Sequence, residues 1–270
     1  MNNFGIAVHG GAGTIAQSEM TPAREKAYRD ALEEALTRGH AVLKEGGSSL
    51  DAVEAAVRVL EDSPHFNAGK GSVFNADGQH EMDACIMRGD TLAAGAVAGV
   101  NNVKNPVGLA RRVMENSAHV LISGMGAFEF AHQERVPLED DQYFFDQFRY
   151  DQWKKMQGTD VYQLDHSDGD RKFGTVGAVA LDAHGHLAAA TSTGGMTNKR
   201  WQRIGDSPIV GAGTYARFED LAQVGEGFHG KLHWQLIQYF FCIAINNKGH
   251  SRLFVNSSLL AIEDLILSNF

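Results

Sequence analysis

Two short runs of small apolar residues, Val176-Gly177-Ala178-Val179-Ala180-Leu181 and Leu187-Ala188-Ala189-Ala190-Thr191-Ser192-Thr193, flank a tight Ala183-His184-Gly185 turn. This pattern predicts a buried β-hairpin. At its head stand Gly174 and Thr175. A threonine hydroxyl inside a chain is a poor nucleophile because no base adjoins it. If the Gly174–Thr175 bond is cut, Thr175 carries both a hydroxyl and a free α-amine. That amine, with an ordinary pKa of about 7.7–8.0, is partly neutral and can take the hydroxyl proton. Gly174, lacking a Cβ, suits a strained junction and close approach of an attacking oxygen. A plain strand start in a buried hairpin is the commoner setting for such residues, and local chemistry leaves both readings open.

The rest of the chain alternates helical and strand-like patterns. Phe4 to Val8 reads as a short buried strand entering a Gly-rich loop. Thr21-Pro22 starts a helix with an apolar face of Ala27, Ala31, Leu32, Ala35, Leu36 and Val42, and Gly46-Gly47 stops it. Ser48-Ser49-Leu50-Asp51 is a capping box for a second helix through Ala52, Val53, Ala56, Val57 and Leu60. Strands are expected at Met82–Met87 and Thr91–Val97 around an Arg88-Gly89-Asp90 turn. A helix is expected from Asn105-Pro106 through Leu109, Val113 and Met114, and a further strand at Val120-Leu121-Ile122. The alternation argues for mixed α and β layers rather than a bundle or an all-β sandwich. From about Pro137 to Phe173 the chain turns polar, including Asp165-His166-Ser167-Asp168-Gly169-Asp170-Arg171-Lys172. A mobile linker, lid or processing segment is expected there, leading directly to Gly174.

Composition narrows the classes further. A chain of 270 residues, 43% hydrophobic and 21% charged, suits one domain with a sizeable core. A net charge of −9 without a basic stripe argues against nucleic acid or an anionic membrane as partner. Met1-Asn2-Asn3-Phe4 shows no signal-peptide pattern. The apolar stretch from Leu236 to Ile245, interrupted by Gln238, falls short of the ~20 residues a membrane span needs. Cys85 and Cys242 form neither a disulfide framework nor metal-ligand spacing, so a cytoplasmic setting is expected. His184 and His186 sit two apart in the hairpin turn, where a solvated turn accounts for them; no role is assigned. His9-Gly10-Gly11-Ala12-Gly13 lacks the spacing of a phosphate-cradling loop, so no nucleotide site is expected.

Several motifs in order resemble the plant-type L-asparaginases and isoaspartyl peptidases, which are N-terminal-nucleophile hydrolases. Thr175–Asp182 followed by Ala188–Lys199 resembles that family's nucleophile region. Val8–Gly13 resembles its first strand and loop, Asn67–Phe74 its central Gly-rich loop, and Met82–Met87 its next strand. Arg203–Pro208 and Gly211–Ala216 resemble its substrate-binding segment. The likeness implies an α+β fold, a four-layer αββα sandwich. It further implies self-cleavage into residues 1–174 and 175–270, assembled as a dimer of αβ units. Thr175 matches the nucleophile, and Thr193 a second threonine that orients it, although a β-branched strand residue would look the same. Asn67 matches an asparagine near the scissile bond, where an Asn capping a Gly-rich turn is the alternative. Arg203 and Asp206 match the groups that grip a substrate's α-carboxylate and α-ammonium, although Arg-x-x-Asp also suits a surface ion pair. Residues Leu60, Glu61, Ser63, Phe66, Ala68 and Lys70 match a main-chain cage for a monovalent cation, typically sodium. The implied substrates are L-asparagine and β-aspartyl dipeptides.

After Ala216 the likeness drops. The family continues with a Thr-Gly-x-Gly-Glu motif that contacts substrate and builds the oxyanion hole. Here Val224 aligns with that threonine and Gly225 and Gly227 with the glycines. The expectation is that family and fold hold across a divergent tail, residues 217–270, in which Ser258–Ile266 reads as a helix. Two other readings stay open, a catalytically impaired homologue that binds or oligomerises, and the glycosylasparaginase branch of the same superfamily.

Overall fold

The structure is a computed structural model. It describes residues 4–11, 20–158 and 174–217, with the backbone of three later strands at 221–224, 241–246 and 251–255. Among the described residues an eight-stranded sheet runs in the order β10-β9-β1-β5-β6-β2-β3-β4. Its strands are β1 (Gly5–His9), β2 (Met82–Arg88), β3 (Ala94–Val100), β4 (Leu121–Ser123), β5 (Val176–Leu181), β6 (Leu187–Thr193), β9 (Phe241–Asn246) and β10 (Ser251–Val255). All neighbours pair antiparallel except β3 with β4. A second sheet pairs β7 (Thr214–Arg217) with β8 (Leu221–Val224).

Strand alternation assigns the two faces of the main sheet. Val176, Ala178, Ala180, Ala188 and Ala190 join the helix-side core with Leu32, Leu36, Val53, Val57 and Leu60. Helices α1 (Pro22–Lys44), α2 (Ser49–Asp62) and α3 (Pro106–Asn116) cover this face. The intervening residues Val179, Leu187 and Ala189 face Ala216 and Tyr215 of the small sheet. The expected α+β character is borne out as a helical layer, a main sheet and a second sheet. Small side chains in β5 and β6 let both covering layers approach closely.

Local chemistry sets the boundaries. Thr21 caps α1 by accepting from the Arg24 amide at 3.2 Å, with Pro22 as first helical residue. The Ser48 hydroxyl accepts from the Asp51 amide at 3.1 Å. Helix α2 is also tied to the hairpin turn. Buried Asp182 accepts the Ser49 amide on one carboxylate oxygen (3.1 Å) and the His184 and His186 amides on the other (2.9 and 3.0 Å).

Two expectations are corrected. Strand β3 starts at Ala94 rather than Thr91, because the preceding turn is larger. The Arg88 amide donates to the Ala93 carbonyl at 2.9 Å, Arg88 grips Asp90 twice, and Leu92 adopts a φ of 61°. Beyond α4 (Gly124–Gln133), the polar stretch after Pro137 is also ordered in its first part, with helices α5 (Asp141–Phe144) and α6 (Gln147–Met156). Asp140 and Asp146 cap them, and Phe144, Arg149 and Trp153 are buried. The polar composition there is the outer face of packed helices. Residues 159–173 and Ser258–Ile266 lie outside the described residues. No described helix is long and apolar enough to cross a membrane.

Candidate active site

The register of the main sheet builds the site. Val176 lies opposite Ser192 on β6, and Thr193 lies opposite Asp83 on β2. Thr175, one residue before its ladder begins, therefore comes level with Thr193 and Asp83 in a row across three strands. The row faces the small sheet, away from the helices. Thr175 is 4% exposed, Thr193 3% and Asp83 0%.

The Thr175 hydroxyl lies 2.9 Å from the Ser207 hydroxyl. Ser207 is itself fixed, since its carbonyl accepts the hydroxyls of Thr191 (2.9 Å) and Thr214 (3.1 Å), which also bond each other. Thr193 does not hold the Thr175 hydroxyl in this continuous chain. It accepts the Gly195 amide at 3.0 Å. The other side of that turn belongs to Asn67, whose side-chain amide donates to the Gly195 carbonyl at 2.7 Å. The Asn67 side-chain oxygen accepts the Val73 amide (3.1 Å), and its carbonyl accepts the Gly194 amide (3.0 Å). Gly194 leaves room for this clamp, because a Cβ there would lie 2.5 Å from the Asn67 side-chain oxygen. Asn67 thus braces the turn that carries Thr193.

On the other side of Thr175, Gly11 takes a φ of +121° and packs against Gly174, where an added Cβ would sit 2.7 Å from the carbonyl oxygen. The preceding His9 is buried, which pulls its pKa down to about 4 and keeps the imidazole neutral.

Arg203 and Asp206 lie on the turn that delivers Ser207. Arg203 is exposed and Asp206 half-buried, and the Asp206 carbonyl accepts the Ile209 amide at 2.8 Å. The positive charge of Arg203 is felt at Asp83 and at Lys199. Gly225 and Gly227 lie outside the described residues. Val224 ends β8, directly opposite Thr214 in the register. Cys85 is buried in β2 and its thiol is pushed up to about 12 by that burial, which leaves it unreactive.

Around the central loop, side chains offer no metal site: no group of three or more His, Cys, Asp or Glu among the described residues is placed to hold an ion. Leu60 and Phe66 are buried in the core, and the Lys70 ammonium lies 5.1 Å from the Tyr143 ring. The Glu61 carbonyl crowds Gly69, and the carbonyls of Phe66 and Pro64 crowd Gly71. The Glu61 carboxyl turns inward, where burial raises its pKa to about 8 against the hydrogen bond it accepts from the Val107 amide at 2.9 Å. His184 and His186 remain turn residues, their rings 6.0 Å apart.

Sequence reasoning missed Ser207, Asp83 and Lys199 as site residues. Ser207 follows Asp206 directly, and Asp83 and Lys199 lie inside matched motifs. Only their meeting in space marks them.

A threonine heading a buried strand behind a tightly packed glycine, within stacked helix, sheet and sheet layers, is consistent with the fold of the N-terminal-nucleophile hydrolases. The sequence profile of the family described as asparaginase matches residues 2–228, and the chain belongs to that family. It is 51% identical over 226 residues to an isoaspartyl peptidase of Salmonella typhimurium, covering 82% of this chain and 72% of the relative. It is 50% identical over 221 residues to an isoaspartyl peptidase of Escherichia coli, covering 80% and 69%. A plant-type L-asparaginase of Pyrococcus horikoshii is 47% identical over 225 residues, covering 78% and 70%. The resemblance drawn from the motifs is thereby borne out, and the chain is a hydrolase by family.

Proposed function

We propose that this chain cleaves itself between Gly174 and Thr175 and then hydrolyses L-asparagine and β-aspartyl dipeptides. The observation that carries this reading is the row of Thr175, Thr193 and Asp83, with the Thr175 hydroxyl held by Ser207 and the Gly174 carbonyl pressed on Gly11. In the first step the Thr175 oxygen attacks the Gly174 carbonyl. The peptide C–N bond breaks, the nitrogen is protonated, and water hydrolyses the resulting ester. The products are residues 1–174 with a new carboxylate and residues 175–270 with a new α-amine. In the second step that amine takes the Thr175 hydroxyl proton and the oxygen attacks the substrate's side-chain carbonyl. Ammonia or an amino acid leaves with the proton, and water releases aspartate from the β-aspartyl ester.

Arg203 and Asp206 serve the α-carboxylate and α-ammonium of the substrate. A bidentate arginine–carboxylate contact contributes roughly 1.5–3 kcal/mol per charge-assisted bond. The carbonyl-lined loop 60–71 suits a hard monovalent cation such as sodium, bound by main-chain oxygens among Leu60, Glu61, Ser63, Phe66, Ala68 and Lys70. Such an ion would stiffen the loop that carries Asn67. We further infer a cytoplasmic dimer of cleaved αβ units.

Intact-mass measurement of the purified chain, together with turnover of asparagine and β-aspartyl-leucine, tests the reading. Two fragments separated at Gly174–Thr175 and turnover lost in Thr175→Ala are expected; turnover by an unsplit chain would contradict it. A second reading, slow or absent turnover, is favoured by Val224, which lacks a hydroxyl opposite Thr214. If it holds, Val224→Thr raises kcat, and by about tenfold or more if it restores an oxyanion-hole donor.

A further inference from the structure

A buried cluster of charge lies beneath the Thr193 turn, and the reaction proposed above gives its lysine no part. Lys199 is 4% exposed. Its ammonium donates to the Glu81 carbonyl at 2.8 Å and stands 3.8 Å from the Glu81 carboxylate. Asp83, two residues further on and fully buried, adds a second negative charge. One Asp83 oxygen accepts the Gly99 amide at 2.8 Å, and the other has no hydrogen-bond donor among the described residues. Burying an ammonium is costly unless it is paired, and here the pairing joins the loop after β6 to the start of β2.

The position of that ammonium is what matters. Gly195 adopts a φ of +75°, and a Cβ on it would meet the Lys199 ammonium at 3.1 Å. Gly195 is also the residue whose amide binds the Thr193 hydroxyl and whose carbonyl binds Asn67. Lys199 is pinned from its own backbone as well, its amide donating to Met196 at 3.2 Å and its carbonyl accepting from Ala76 at 2.8 Å. Asp83, its counter-charge, is the register partner of Thr193.

We propose that Lys199 is a positioning residue. Its ammonium, bonded to the Glu81 carbonyl and drawn by the charges of Glu81 and Asp83, fixes the Gly194–Gly195 turn, and through it the Thr193 hydroxyl and the Asn67 amide beside Thr175. The proposal rests on the reading of Thr175 as nucleophile. It assigns the buried pair a part in geometry, which a hydrophobic side chain of similar length could not play.

The test compares full-length wild type, Lys199→Met, and the triple variant Lys199→Met/Glu81→Gln/Asp83→Asn, which leaves neither carboxylate as an unpaired buried charge. Thermal melting reports folding, intact mass reports splitting at Gly174–Thr175, and kcat and KM are measured separately on β-aspartyl-leucine. Folded Lys199→Met is expected to split slowly and to lose about 10²-fold in kcat, the scale of an ångström-sized misplacement, with KM within about threefold. If Lys199→Met does not fold, the triple variant is expected to fold and show the same kcat loss. Wild-type kcat in either folded variant overturns the proposal while leaving Thr175 as nucleophile. A loss confined to KM also overturns it. A wild-type chain that neither splits nor turns over removes the Thr175 reading and this proposal together.

Discussion

Gly11 packs so closely on Gly174 that a single methyl group at residue 11 would stand 2.7 Å from the carbonyl oxygen at the expected cut. The φ of +121° adds a second reason for glycine there. Gly11→Ala is expected to displace the scissile carbonyl at a cost of about 1–3 kcal/mol, the usual scale of local backbone strain. If that cost falls on the transition state for splitting, the rate drops by about tenfold or more. A time course of intact mass would show it.

Ser207 is expected to matter through the hydroxyl that meets Thr175 at 2.9 Å. Ser207→Ala leaves its carbonyl in place for Thr191 and Thr214, so the fold is expected to persist. The Thr175 hydroxyl then loses a hydrogen bond worth about 0.5–1.5 kcal/mol. A kcat reduced several-fold with an unchanged melting temperature is the expected result.

Asp182 has a purely structural task, collecting three amides from two elements. Asp182→Ala would leave these donors unpaired, at about 1–3 kcal/mol for the buried Ser49 amide and less for the two turn amides, which water can reach. Urea unfolding is expected to show a loss of several kcal/mol, with kcat at 25 °C preserved in the folded fraction.

His80 gives a pH dependence. It is packed between Phe74 and Phe144 and bonded to Ser72, and burial lowers its pKa to about 4 from 6.5. A lowered folded pKa means stability that is present above pH 6.5 and lost as the pH falls toward 4. At about 1.36 kcal/mol per pKa unit the loss is on the order of a few kcal/mol. His9 adds in the same direction over the same window. Replacing His80 by Gln should flatten the melting-temperature profile between pH 6.5 and 4; an unchanged slope would show that His80 does not contribute.

The hairpin, the caps at Thr21 and Ser48 and the helix started by Pro106 were legible because each is decided within a few residues. Thr175 was legible for the same reason, as a hydroxyl beside a bond to glycine. Ser207 was not, since it meets Thr175 only when a turn 32 residues away folds over the sheet. Lys199 and Asp83 were hidden similarly: each reads locally as a surface charge, and burial alone gives it another meaning. Helices α5 and α6 escaped notice because their outward faces dominate the composition, while a few side chains such as Phe144, Arg149 and Trp153 anchor them.

The strand order has one last consequence. β1 lies between β5 and β9, and β6 lies against β2, so strands from before and after residue 174 are interwoven across the sheet. A cut there severs the polypeptide without parting the molecule, because neither piece can slip free while the other keeps its ladder bonds. The newly exposed amine would stay anchored where the bond was broken, and only denaturant should tease the halves apart.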